Sequence, residues 1–174
     1  TSAFHCPYCD GWELHDQPIA ICAGGEAGLN MAKMLHTLTH DLTLCSNGPA
    51  ALADDERAAL LANGIRVIET PIARFEGHEA QIEAIVFTDG GRVACRGVFA
   101  RTEAVQHSTL AVQLGCAMTD AGLVEADPLG RTSVAGVYAA GDMAHPIRQI
   151  SMAASQGAAA GIAINADLIG EDFY

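Results

Sequence analysis

The stretch from residue 18 to residue 35 restricts the possible folds more than any other part of the chain. Residues 18–22 form a short apolar run ending in Ala23-Gly24-Gly25, and residues 28–35 read as a helix. The order is strand, glycine turn, helix. Residues 42–45 read as the next strand, Asp54 as the N-cap of a helix through Asn63, and residues 65–68 as a third strand after Gly64. A βαβαβ alternation predicts an α/β fold, a parallel sheet joined by right-handed crossovers. Then the pattern changes. Residues 72–75, 82–87 and 92–95, punctuated by Asp89-Gly90-Gly91, read as an antiparallel meander, and residues 97–100 as a strand leaving it.

From Glu103 onward the elements are sparser. A helix over 108–114 stops at Gly115, short strands are expected at 123–125 and 137–139, and a last long element covers 150–168. Ala and Gly fill most of its positions, which predicts close packing against another backbone. A boundary near Arg101 divides a first domain, 1–100, from a second segment, 101–174, too short and strand-poor to stand alone.

Composition narrows the partners. The 174 residues are 50% hydrophobic and 17% charged, enough to bury a core without disulfide staples. Nine basic against 21 acidic residues give a net charge of −12, and Lys33 is the single lysine. With no basic stripe to track phosphates, nucleic acid and anionic membrane surfaces are poor partners. No apolar run approaches the roughly 20 residues of a membrane span, so a cytoplasmic protein is expected.

Cys22, Cys45, Cys95 and Cys116 sit singly in apolar stretches, where a cysteine is a small buried hydrophobe. Cys6 and Cys9 differ. They form C-x-x-C in the segment Phe4-His5-Cys6-Pro7-Tyr8-Cys9-Asp10-Gly11-Trp12, a spacing that lets the sulfurs meet and lets one depress the other's pKa. The same spacing suits zinc, with His5 and His15 nearby, but no second C-x-x-C or paired His completes four ligands, so no metal is expected.

The turn Ala23-x-Gly25-x-x-Gly28 has the context of a dinucleotide fingerprint, with Gly24, Gly25 and Gly28 as the positions where backbone could approach a pyrophosphate at a helix N-terminus. Ala23 stands where the tight turn takes glycine. The second strand ends in Cys45-Ser46-Asn47-Gly48, with neither an acid for a ribose hydroxyl nor an arginine for a 2′-phosphate. A Rossmann-like turn that no longer holds a nicotinamide cofactor explains these residues at least as well as a working one.

The segment from Thr132 to Asp142 is more specific. A small-residue strand ending in Gly141-Asp142 just ahead of a helix puts a carboxylate beside a bound polyol, and a helix N-terminus beside an electron-rich ring. Together with Cys6 to Asp10, it makes the chain resemble the low-molecular-weight thioredoxin reductase group of FAD-dependent pyridine nucleotide-disulfide oxidoreductases. There Cys-x-x-Cys-Asp-Gly opens a nucleotide domain inserted into a flavin domain, and Thr-x-x-x-Gly-Val-x-Ala-Ala-Gly-Asp finishes the flavin domain. The resemblance runs through nearly the whole chain in matching order, including Arg148-Gln149 before the last helix.

The resemblance implies a Rossmann-like FAD/NAD(P)-binding fold followed by the C-terminal part of a second such domain. It implies that Cys9 exchanges electrons with the flavin, that Cys6 attacks or releases an external disulfide, and that Asp10 handles the proton. Asp142 would bind the ribityl chain of FAD, and backbone near Arg148, Gln149 and Ile150 would sit by the flavin ring. The family's N-terminal half of the flavin domain has no counterpart here. The family's basic signature for NADPH is replaced by Ser46-Asn47-Gly48, as in a branch that oxidises small dithiols and passes electrons to oxygen. The reading is therefore a dithiol/disulfide oxidoreductase, FAD as cofactor with NAD(P)H in doubt, a small dithiol or thioredoxin-like substrate, and a homodimer. The alternatives are an NAD(P)H-dependent thioredoxin-disulfide reductase and a non-catalytic remnant or interaction module.

Overall fold

In the computed structural model, which describes residues 2–173, the chain divides into two compact units, Thr1–Glu103 and Ala104–Tyr174. The first is built on a five-stranded parallel sheet in the order β1-β8-β2-β3-β4, with β1 at Ala3–Phe4, β2 at Ile19–Cys22, β3 at Leu42–Cys45, β4 at Arg66–Ile68 and β8 at Gly97–Ala100. Its crossover helices are α2, Gly25–Leu35, and α3, Asp54–Ala62. Ile19, Ile21, Leu42, Leu44 and Phe99 project from the central strands into one core with Leu29, Ala32 and Leu35 of α2. Near-continuous apolar runs are what strands covered on both faces require.

A second, antiparallel sheet of β5 (Ile72–His78), β6 (Gln81–Phe87) and β7 (Arg92–Ala94) carries the other core. Ile85, Phe87, Val93 and Cys95 pack there with Ala20, Cys45 and Val98. The chain then returns to the parallel sheet as β8, inserted between β1 and β2.

The second unit holds little regular structure. It contains α4 (Leu110–Gln113), a 3-10 turn at Gly141–Met143, and α5, Ile150–Phe173. The strands expected at 123–125 and 137–139 are not ladders. They are single bridges, Met118 to Val124 and Arg131 to Tyr138, beside a third from Ala126 to Thr132. Most large apolar side chains exposed among the described residues lie in this unit, several along α5. None of the described helices is long and apolar enough to cross a membrane.

Boundaries shift where capping decides them. Helix α2 begins at Gly25, three residues before the expected Gly28, because the Gly24 carbonyl already accepts the Gly28 N–H at 3.1 Å. Asp54 is the first helical residue and not the cap; the Glu56 carboxylate accepts the Ala53 N–H at 2.9 Å instead. Helix α4 is two residues shorter at its start than the expected 108–114.

Candidate redox site

Edge strand β1 ends at Phe4, whose ring lies 5.4 Å from that of Phe99 on β8. Cys6 then caps a single helical turn, α1, Pro7–Asp10. Proline is suited to this first position because its missing N–H has no partner there. The Cys6 carbonyl accepts N–H groups from Cys9 (3.1 Å) and Asp10 (3.2 Å), folding the segment back on itself. The two cysteine Cα atoms come to 5.3 Å, and a disulfide joins them. That separation is ordinary for a disulfide.

Two glycine contacts fix the turn on the body of the unit. A Cβ on Gly11 would run into the Pro7 carbonyl oxygen and the Leu38 side chain, so only glycine lets the turn seat against the end of α2. A Cβ on Gly97 of β8 would strike Leu14, which the 3-10 turn Trp12–Leu14 lays across the sheet. Cys6 is half-buried and Cys9 exposed. Tyr8, between them, is 81% exposed, and Trp12 is 70% exposed with its ring stacked 4.7 Å from that of His15. Asp10 is half-buried beside Cys9. The turn thus presents a disulfide at the surface, with Asp10 following Cys9 in the same helical turn.

The remaining thiols are arranged differently. Burial pushes the thiol pKa of Cys22 up to about 11, that of Cys45 up to about 12 and that of Cys95 up to about 11. Cys22 and Cys45, single in the sequence, are near enough to each other and to Cys95 for mutual repulsion to raise their values further. Among the described residues, no three His, Cys, Asp or Glu side chains come together as metal ligands.

The glycine turn lies at the other end of α2 from the redox turn, about 16 Å away by helix rise. Gly25 adopts a left-handed φ of +56°. A Cβ on Gly28 would stand 2.8 Å from the Ala23 carbonyl oxygen and 3.0 Å from Leu44, so this glycine serves close helix–sheet packing. Beside the turn is a cleft of about 490 Å³ lined in part by Cys22, Ser46, Asn47 and Arg74. Arg74 reaches it from β5, so sequence distance hid it; its guanidinium is paired with Glu76 at 2.5 Å.

In the second unit, Gly141 takes a left-handed φ of +76° and donates its N–H to Gln156 Oε1 at 2.8 Å, tying the Gly141–Met143 turn to α5. The Met143 carbonyl accepts N–H groups from Val124 and the Gln106 side chain, at 2.8 and 2.9 Å. Asp142 is exposed and makes no hydrogen bond or ion pair among the described residues. Arg148 is exposed, the Gln149 carbonyl accepts the Ala153 N–H at 3.0 Å, and Ile150 is 90% exposed at the start of α5. The Asp142 carboxylate thus stands open on a turn that is tied to α5 through Gly141. A contact the sequence did not reveal anchors the far end of α5. Asp167 accepts two bonds from Arg131, each 2.7 Å, and one from the Tyr138 hydroxyl at 2.5 Å. Those bonds, from Arg131 first, hold the Asp167 carboxyl down at about 2.

Comparison with known proteins places these features in one family. The chain is 27% identical to thioredoxin reductase sirT of Leptosphaeria maculans, covering 97% of this chain and 56% of that protein. The crystal structure of HlmI superposes with a TM-score of 0.90 at 32% identity, over 99% of this chain and 54% of HlmI. An oxidoreductase from Agrobacterium tumefaciens gives 0.87 at 31% identity, over 97% and 57%. The chain spans about half the length of the relatives it matches. Residues 1–157 match the pyridine nucleotide-disulphide oxidoreductase family along most of the sequence, and the chain belongs to that family.

Proposed function

We propose that this chain is the disulfide-bearing part of an FAD-dependent dithiol/disulfide oxidoreductase of the thioredoxin reductase type, oxidising a small dithiol and working as a cytoplasmic homodimer. The Cys6–Cys9 disulfide, held on a rigid turn with Cys9 exposed, is the observation that carries the reading.

A substrate thiolate attacks the Cys6 sulfur, forming a mixed disulfide and releasing Cys9 as thiolate. The substrate's second thiolate then attacks its own bonded sulfur, releasing Cys6 and leaving the substrate oxidised to a disulfide. The chain keeps the electron pair as two thiols. Asp10, adjoining Cys9, accepts and returns the proton that the leaving sulfur needs. Asp142, Gly141 and the start of α5 from Arg148 to Ile150 would hold the flavin's polyol and ring. When bound, FAD supplies a two-electron acceptor that oxygen regenerates.

A second reading, reduction of a thioredoxin-like protein with electrons from NAD(P)H, draws on the similarity to the Leptosphaeria maculans thioredoxin reductase. One anaerobic experiment separates the two. The chain, supplied with excess FAD, is mixed with either a small dithiol or NADPH while flavin absorbance and free thiols are followed. The proposal expects the dithiol to open the Cys6–Cys9 disulfide and NADPH to leave both signals unchanged. Rapid flavin bleaching by NADPH would reject the oxidase reading.

A further inference from the structure

Helix α2 opens where a dinucleotide fold receives a pyrophosphate, and here the chain itself occupies that place. The Gly25 N–H, one of the first amides of α2 that lack a partner inside the helix, donates to the Ala50 carbonyl at 2.6 Å. The same oxygen lies 3.3 Å from where a Cβ on Gly24 would stand. Ala50 is fully buried, and its N–H donates to Glu69 Oε1 at 2.8 Å. Arg57 pairs with that same oxygen at 2.7 Å.

The rest of the segment is pinned as well. Asn47 Oδ1 accepts the Ile72 N–H at 2.7 Å, and the Ser46 hydroxyl donates to the Gly48 carbonyl at 2.6 Å. Asn47 and Ala51 both hold left-handed backbone, at φ 56° and 52°. Alanine adopts that conformation only where its surroundings impose it. Glu26, in the first turn of α2, adds a carboxylate at the helix's positive end, where it repels a phosphate. Room is not the obstacle, since the neighbouring cleft of about 490 Å³ is of ligand size.

We propose that the 46–52 loop is a built-in stopper that keeps nicotinamide dinucleotides off α2, with Ala50 as the plug and Glu69 and Arg57 as its latch. The consequence for function, that electrons enter through a dithiol, rests on the reading above; the closure itself is tested by binding alone, and its failure would leave Cys6–Cys9 exchange untouched.

The test combines calorimetry with NADPH and amide hydrogen exchange on the 174-residue chain. The wild type is expected to bind NADPH more weakly than about 1 mM and to protect the Gly25 amide. Glu69→Ala should speed Gly25 exchange at least about tenfold and bring NADPH binding into the measurable range. Arg57→Ala, which removes only the outer partner of Glu69 and leaves its bond to the Ala50 N–H, should do the same to a smaller degree and covers the case in which Glu69→Ala fails to fold. Glu26→Gln alone should stay silent, because the plug remains. Micromolar NADPH binding by the wild type would overturn the proposal. So would a freed Gly25 amide without any gain in binding, unchanged protection in both latch variants, or binding by Glu26→Gln alone.

Discussion

At the scale of single residues, two kinds of cysteine share one chain. Cys6 and Cys9 lie on a solvent-facing turn, whereas burial raises the Cys22 thiol from an ordinary 9.0 to about 11 and the Cys45 thiol to about 12. Since the thiolate is the reactive form, at pH 8 and below, where both remain mostly protonated, Cys22 should carry about 100-fold less thiolate than an ordinary cysteine. Alkylation rates measured from about pH 7 to about pH 8.5 check this: those of Cys22 and Cys45 should stay low throughout, and brisk labelling at pH 8 would contradict it. Gly11 supplies a second prediction. Its missing Cβ is what admits the Pro7 carbonyl and Leu38, so Gly11→Ala should cost about 1–3 kcal/mol by overpacking, read as a lower urea midpoint.

At the scale of elements, legibility followed burial and length. The strand at residues 42–45 was readable because four successive residues are buried, and the meander because turn residues separate its strands. Strand β1 escaped notice because two residues carry no period, and α1 because four residues make one turn. The strands expected in the second unit failed for another reason: Val124 and Tyr138 have bridge partners, but no neighbouring ladder extends them. Of the site, the cysteine pair and the Gly141-Asp142 turn were visible as spacing. Contacts that depend on tertiary approach, such as Ala50 on Gly25 or Arg74 at the cleft, were not.

Phe99, fully buried in β8 between the two neighbouring strands, should cost about 3–5 kcal/mol on Phe99→Ala, measured by chemical unfolding. The Asp167 anchor of α5 carries a pH signature. Its carboxyl is held at about 2 by Arg131 and Tyr138, below its unfolded value, so its stabilisation is present above that unfolded value. It is lost as pH falls from about 4 towards 2. Asp167→Asn should lower the melting temperature at pH 7 and flatten its decline over that acid range, the shift staying small because the pair is partly exposed. An unchanged acid profile in the variant would remove the anchor from the account.

At the scale of the whole chain, the two units make unequal contributions. The first has a continuous double core, while the second offers a small cluster around Cys116, Val124 and Ala139 and exposes apolar residues along α5. In the function proposed above, Asp142 and the start of α5 hold one end of FAD, while the glycine turn at the start of α2 is filled by the Ala50 carbonyl. Phosphate cradling is a large part of how such folds hold a dinucleotide. Calorimetry of the 174-residue chain with FAD should therefore show binding weaker than about 10 μM; tight stoichiometric binding would show that these residues suffice.

If Cys6 and Cys9 are the exchanging pair, a single turnover with a dithiol must mark those two residues and leave the other thiols unmarked. The oxidised chain is mixed anaerobically with one equivalent of dithiothreitol, quenched with an alkylating reagent and mapped by mass. Label is expected on Cys6 and Cys9 together and none on Cys22, Cys45 or Cys95; in Cys9→Ser, the Cys6 thiolate should attack an added small disulfide such as oxidised glutathione, releasing one glutathione thiolate and leaving a mixed disulfide on Cys6. An unchanged Cys6–Cys9 disulfide, or label on the buried thiols in its place, would contradict it.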